Sequence, residues 1–184
     1  MKSVYRSIKP YWLYLILIGK KTIEVGKTYP KAEDWNKEVF LHCSKDMKSF
    51  KRIPEKDREW MRKYLGKVAC RFVCDDIDKI AVFNDLLYCV KNSQANKLSQ
   101  MCLTIEKIKA YLGGKNLGYN WHISNLVIYD EPKELSEFKK INRECWYADL
   151  GLAKRDCPEC KNADCFLKRP PQSWCYVERS ENGK

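Results

Sequence analysis

Apolar and polar positions along this chain alternate with two different periods, and each change of period marks an element. Val4–Ile8 has the make-up of a first strand. Pro10 then stands where the first turn of a helix tolerates a missing N–H. The apolar run Leu13–Ile18 ends at Gly19, the residue type that takes a left-handed exit from a helix. Lys20 and Lys21 follow, where they meet the negative end of that helix dipole. From Thr22 to Gly26 the period becomes two, with Ile23 and Val25 alternating against Thr22, Glu24 and Gly26. Tyr29–Asn36 is a polar loop holding Pro30 and Trp35, and Glu38–Cys43 reads as a strand.

Pro54, the early acids Glu55 and Asp57, the late bases Arg62 and Lys63, and Gly66 beyond them are helix start and stop signals in the right order. Lys67–Cys74 alternates again, with Val68, Cys70, Phe72 and Cys74 on one face as small or apolar buried residues. From Asp75 to Met101 the pattern is weak: Asn84–Lys91 reads as a helix and Asn92–Gln100 as a loop. Thr104 is a suitable N-cap for Ile105–Leu112, which Gly113 and Gly114 stop. Tyr119–Tyr129 predicts one long strand with Trp121, Ile123 and Val127 on one side. Its other side, Asn120, His122 and Ser124, would line a polar cleft. A short helical turn at Glu134–Lys140 and a closing strand around Trp174–Val177 complete an α+β chain.

Charge changes the picture more than length does. The 184 residues suit a single domain, 1–184, with no internal repeat or low-complexity linker. Thirty-five basic against 24 acidic residues leave a net charge of +11, which favours an acidic partner such as RNA or DNA, though a merely basic protein has the same balance. No run of 18 or more apolar residues exists to span a membrane, and the opening residues lack a signal-peptide core. Together with ten cysteines, read as reduced thiols or metal ligands, this places the expectation in the cytoplasm.

Cys157, Cys160 and Cys165 form the densest local chemical signal. Two cysteines separated by two residues can hold one tetrahedral metal, and a third can close over it. Cys145, twelve residues before Cys157, is the fourth ligand by distance along the chain, with Cys175 the alternative. Four thiolates leave no open position, so one structural Zn2+ is expected in a knuckle at about 145–166, inserted before the closing strand. A redox Cys-x-x-Cys or uncoordinated thiols are the competing readings; the helix-start setting of a redox motif is missing.

Lys21 and Glu24 are the leading site residues, as a base- or phosphate-binding pair or, if desolvated, an acid/base pair, with Thr22 between them. Three positions apart, they lie on opposite faces of a regular strand, so Lys21 must use the helix–strand junction to reach the same pocket. The bland alternative is a surface ion pair. Trp121 and Trp174 offer stacking faces for a base, although a strand tryptophan is more often core. His122 points away from Trp121, and His42 reads as a packed strand histidine. Ser7, Lys9 and Lys20 flank the first helix as possible anion contacts, while Arg169, Gln172 and Ser173 form a polar lip before the closing strand.

The stretch SIKPYWLYLILIGKKTIEV, and in it Gly19, Lys21 and Glu24, resembles the opening of ASCH domains, whose signature is Gly-x-Lys-x-x-Glu-x-Arg. The signature arginine is Gly26 here. GKVACRFVCDDI, GYNWHISNLVIYDEPKELSEF and RPPQSWCYVE resemble later strands of the family. The resemblance implies a PUA-like β-barrel with flanking helices and a cleft for RNA or a modified nucleoside. It also implies a second function class, because some ASCH proteins are amidohydrolases acting on N4-acetylcytidine and others are proposed ribonucleases. In the amidohydrolase pattern a lysine matching Lys21 works with a threonine that aligns with Glu24, and Thr22 stands two residues earlier. Glu24 can activate water but cannot replace a threonine nucleophile. A third class, a structural adaptor with a vestigial cleft, fits the loss of the arginine at Gly26.

Overall fold

The computed structural model describes residues 2–33, 35–90, 97–141 and 166–178. Its elements, in chain order, begin with β1 (Lys2–Ile8), α1 (Pro10–Leu17), β2 (Ile23–Gly26) and β3 (Trp35–Cys43). The helices α2 (Met47–Phe50) and α3 (Glu55–Arg62) follow, then β4 (Val68–Val73), β5 (Ile77–Phe83) and β6 (Leu86–Cys89). After α4 (Lys97–Met101) and α5 (Ile105–Leu112) come β7 (Leu117–His122), β8 (Ser124–Lys133), a 3-10 turn at Leu135–Glu137 and β9 (Trp174–Glu178). Cys145, Cys157, Cys160 and Cys165 lie outside the described residues.

The strands form two sheets, ordered β8-β4-β3-β1-β9 and β2-β7-β5-β6. β1 and β3 run parallel, and the other ladders are antiparallel. Two segments pass from one sheet to the other: β4 runs on into β5, and β7 into β8. The long strand expected at Tyr119–Tyr129 is therefore two strands that meet at Ile123. There the Ile123 N–H leaves the ladder and donates to Thr22 O at 3.0 Å. The side-chain alternation expected along it breaks at the same point, since Trp121 is fully buried and Val127 is 40% exposed. The closed PUA-like barrel expected from the resemblance is not formed among the described residues; the architecture is two open sheets that share strands end to end.

In place of the helix expected at Asn84–Lys91, the described residues up to Val90 form the turn and second strand of a hairpin with β5. Asn84 and Asp85 both have positive φ (46° and 57°), the signature of a tight turn that matches strand twist. The loop expected at Asn92–Gln100 is helical from Lys97, in α4, while the signals around α5 and β4 hold. Thr104 Oγ1 accepts from Lys107 N, and Gly113 closes α5 at φ 63°. Val68, Cys70, Phe72 and Cys74 are all buried. One core lies between α1, α3 and the five-stranded sheet, and a second packs α4 and α5 on Ile23, Val25, Ile80 and Val82.

A bulge lies early in β3. Lys2 pairs with Trp35 but Val4 pairs with Val39, so β3 carries extra residues, and Lys37 sits among them at φ 64°. Its carbonyl accepts from Cys74 N at 2.8 Å, which holds the bulge in place. A left-handed lysine costs about 1 to 2 kcal/mol, a strain that glycine avoids while losing more chain entropy on folding. Lys37→Gly should raise stability by about 0.5 kcal/mol and Lys37→Val should lower it. Urea unfolding of the two variants checks the opposite signs.

Candidate functional site

The exit of α1 decides where Lys21 goes. Gly19 turns the chain at φ 72°, and the Lys20 and Lys21 N–H groups both donate to Leu15 O at 2.9 Å. Backbone donors thus satisfy the helix end, and the Lys21 side chain is released inward instead of capping it. Its ammonium, buried with the residue only 2% exposed, donates to Met101 O at 2.7 Å, the carbonyl of the last residue of α4. Nζ also lies 3.3 Å from Glu24 Oε2. The expectation that Lys21 meets the dipole of α1 is corrected on this point, and so is the surface-pair reading.

Glu24 is held from its other side by Arg6. The Arg6 Nη2 donates to Glu24 Oε1 at 3.0 Å and to Val25 O at 2.8 Å. Burial alone would push the Glu24 carboxyl up, but Lys21 and Arg6 outweigh it and hold its pKa below the usual range. Burial lowers the Lys21 pKa, with Glu24 opposing. The cluster carries two cations against one carboxylate. Its opening is at Glu24, whose side chain is 12% exposed.

Aromatic rings surround the charges. The Arg6 guanidinium lies 4.7 Å from the Trp121 ring centre, and Lys21 Nζ lies 5.6 Å from that of Trp12. Trp35 and Trp174 meet Trp121 at 6.3 and 6.1 Å, and the Trp174 indole donates to Thr28 Oγ1. Tyr111 stands close to Arg6, whose charge partly offsets the rise that burial imposes on that phenol. Gly26 permits the crowding: a Cβ there would lie 2.7 Å from Trp121 Nε1 and 3.3 Å from Arg6 Nη1. Trp121 Nε1, Arg6 Nη1 and Arg6 Nε are buried and have no hydrogen-bond partner among the described residues.

The other residues singled out from sequence scatter. Trp121 is fully buried, with Arg6 on its ring, so it has no free face for a base. Trp174 is partly exposed beside it. His122 pairs with Ile23 across β2–β7 and, as the neighbour of Trp121 on the strand, faces the other side. Thr22 is exposed, its N–H taken by Gln100 O. Ser7 Oγ lies 3.5 Å from His42 Nδ1 and its N–H donates to Ser173 O. Lys9 pairs with Asp46 at 3.1 Å, and the Tyr11 N–H donates to Ser49 Oγ. Protein groups therefore occupy the α1 N-terminus where Ser7 and Lys9 were expected to meet an anion. Lys20, Gln172 and Ser173 are exposed, Ser173 holding the closing strand to β1 through its carbonyl. Cys175 lies in β9 opposite Tyr5, with its thiol pushed up to about 11 by burial. Among the described residues no group of three or more His, Cys, Asp or Glu could hold a metal.

Arg6 is the residue of the charged cluster that the sequence reading missed. Its signal was present: Val4, Arg6 and Ile8 share one strand face, and a charge in the middle of an apolar face needs a buried partner. The Arg6 guanidinium, delivered from β1, reaches Glu24 and passes beside Gly26. An open groove lined by Leu98, Ser99, Cys102, Leu103, Thr104, Ile105 and Glu106 includes none of the three charged residues.

No family model and no curated protein matches the chain. Among solved structures the fold is similar to ASCH from Zymomonas mobilis, at 14% identity and a TM-score of 0.47, over 96% of this chain and 88% of that one. A tyrosine-to-phenylalanine mutant of that protein is similar at 14% identity and a TM-score of 0.49, over 97% of this chain and 92% of that one. These structures bear the name of the family that the Gly19, Lys21 and Glu24 pattern resembles.

The cluster makes stability sensitive to acid. A carboxylate whose folded pKa is depressed contributes stability above its unfolded pKa, near 4.3, and loses it as pH falls through the lower folded value. Glu24→Gln should cost about 3 to 5 kcal/mol at pH 7, because it leaves two buried cations without their counter-charge. It should also flatten the acid limb of the stability curve. Urea unfolding of both proteins from pH 3 to pH 8 tests the two effects together.

Proposed function

We propose that this chain is an ASCH-like, PUA-like module that binds RNA or a modified nucleoside at the Arg6–Lys21–Glu24 cluster. The observation that carries the reading is the uncompensated set of donors. Among the described residues, two buried cations face one carboxylate, and Arg6 Nε, Arg6 Nη1 and Trp121 Nε1 have no hydrogen-bond partner. A buried unpaired donor costs about 1 to 3 kcal/mol, which an acceptor oxygen on a ligand relieves. Trp12 and Trp174, both partly exposed, supply rings beside that position for stacking on any base.

The hydrolase reading needs a nucleophile or a base. Thr22 is exposed and apart from the cluster, and Glu24 is held ionised by two cations, which weakens it as a proton acceptor near pH 7. Wild type, Lys21→Ala and Glu24→Gln are to be incubated with N4-acetylcytidine and with an unstructured RNA, with circular dichroism as a folding control. We expect no product from wild type and loss of binding in Lys21→Ala. Turnover by wild type that both substitutions abolish would replace binding with hydrolysis.

The cysteine knuckle belongs to the same proposal and rests on spacing alone. Cys145, Cys157, Cys160 and Cys165 would hold one structural Zn2+ per chain. Elemental analysis of protein purified without chelator should find about one zinc, and Cys157→Ser should lower both zinc content and melting temperature. Protein free of metal would remove the zinc from the reading.

A further inference from the structure

A sheet edge is a row of backbone donors and acceptors that must be covered, charged or paired. Three of the strands that end the two sheets meet that need among the described residues. On β2, Val25 O accepts from the Arg6 guanidinium. Beside β9, the Glu178 N–H donates to Lys139 O and the Ile141 N–H to Tyr176 O. β8 carries Asp130, Glu131, Pro132 and Lys133, the charges and proline that blunt an edge. β6 differs from all three. Leu86–Cys89 holds neither charge nor proline, and among the described residues no strand lies beyond it.

The pairing with β5 fixes which groups of β6 face outward. The Val90 N–H donates to Lys79 O at 3.1 Å, so by alternation Tyr88 and Leu86 also turn their backbone groups to β5, opposite Ala81 and Phe83. The N–H and C=O groups of Leu87 and Cys89 point the other way, toward the free edge. Side chains follow the same period. Leu87 is buried in the core of α4 and α5, with Cys89 packed against it. Leu86, Tyr88 and Val90 stand on the opposite face, 45% to 74% exposed, and Phe83 adjoins Leu86 there at 61%.

We propose that β6 is a dimer interface, where a second copy of this chain adds its own β6 antiparallel and joins the two β2-β7-β5-β6 sheets across a two-fold axis at Tyr88. The strand is complementary to itself in that register. Leu87 of one copy opposes Cys89 of the other, so the outward groups of both residues pair in both copies. Tyr88 meets Tyr88 on the axis, and Leu86 meets Val90, all on the exposed apolar face. A shift of one residue would set Leu87 against Tyr88, whose backbone groups β5 already holds. A contact built on one short strand is at the low end of interface size, below about 1,200 Å2 in total, so the dimer is reversible and grows with concentration. The inference is independent of what the Arg6–Lys21–Glu24 cluster binds.

Sedimentation velocity of the full chain tests the dimer. Between about 1 and about 300 μM the mass should rise from the 21.8 kDa of one chain toward twice that value. Tyr88→Lys places two ammonium groups on the axis and should stay monomeric throughout. Cys89→Pro deletes one outward N–H per copy without touching the β5 ladder, and should weaken the dimer at least about tenfold. Val127→Lys, at an exposed apolar position on the β8 edge, should dimerise as wild type does. Circular dichroism of each variant checks that the fold is kept. Tyr88→Cys reads the register: oxidised glutathione should link the two substituted positions, found by mass spectrometry of unreduced peptides, because residues facing each other there stand about 4.5 Å apart. Wild type that stays monomeric over the whole range would overturn the inference, leaving the edge to a strand of some other protein. So would a dimer that survives Tyr88→Lys, or one that Val127→Lys abolishes.

Discussion

Glu24 accepts from a cation on each oxygen, and most of what positions the candidate site depends on that double contact. Lys21 comes from the exit of α1, Arg6 from β1 and Glu24 from β2, so one carboxylate joins the two sheets and the helix between them. The Met101 carbonyl that receives Lys21 adds α4 to the same junction. Charges taken this far from water are stable only when paired and hydrogen-bonded. The pairing therefore constrains the backbone of four elements, and the local sequence follows from it. A side chain at position 26 would overlap its surroundings, because a Cβ there would lie 2.7 Å from Trp121 Nε1, 2.9 Å from Thr28 O and 3.3 Å from Arg6 Nη1.

The parts of the fold that were legible from sequence are those decided by neighbouring residues. Pro10, Gly19, Thr104 and Gly113 mark helix ends because the chemistry of capping is local. Lys21 and Glu24 were legible as a pair for the same reason, being three residues apart across one turn of backbone. What failed was set by distant partners. Tyr119–Tyr129 has strand residues throughout, and only the exchange of β2 and β5 for β4 as ladder partners divides it at Ile123. Asn84–Lys91 has no decisive period, and the hairpin formed by Asn84–Cys89 is fixed by pairing with β5 and by two residues in left-handed backbone.

Arg6 and Trp121 show a subtler limit. Trp121 was singled out as a stacking face for a base, yet its ring is fully buried and a guanidinium from 115 residues earlier lies over it. A sequence pattern can mark the charge in an apolar strand face, but the partner that satisfies it depends on which strands share an end. The departure of Gly26 from the ASCH signature looks like loss when read along the chain. In space, the guanidinium that approaches Gly26 comes from β1.

That arrangement also weighs on the choice between holding a ligand and transforming it. A general base works best with a pKa near the operating pH, whereas Glu24 is held below the ordinary carboxylate range by two cations. Removing a proton from water with so weak a base is unfavourable, and protonating Glu24 would leave Arg6 and Lys21 facing each other uncompensated. The same features favour recognition. Fixed donors already desolvated by the fold need no reorganisation to meet an acceptor oxygen, and neighbouring rings on Trp12 and Trp174 accept a planar group without demanding its identity. On the binding reading proposed above, an anionic ligand would supply the second negative charge that Arg6 and Lys21 lack among the described residues, at a position already fixed from four elements.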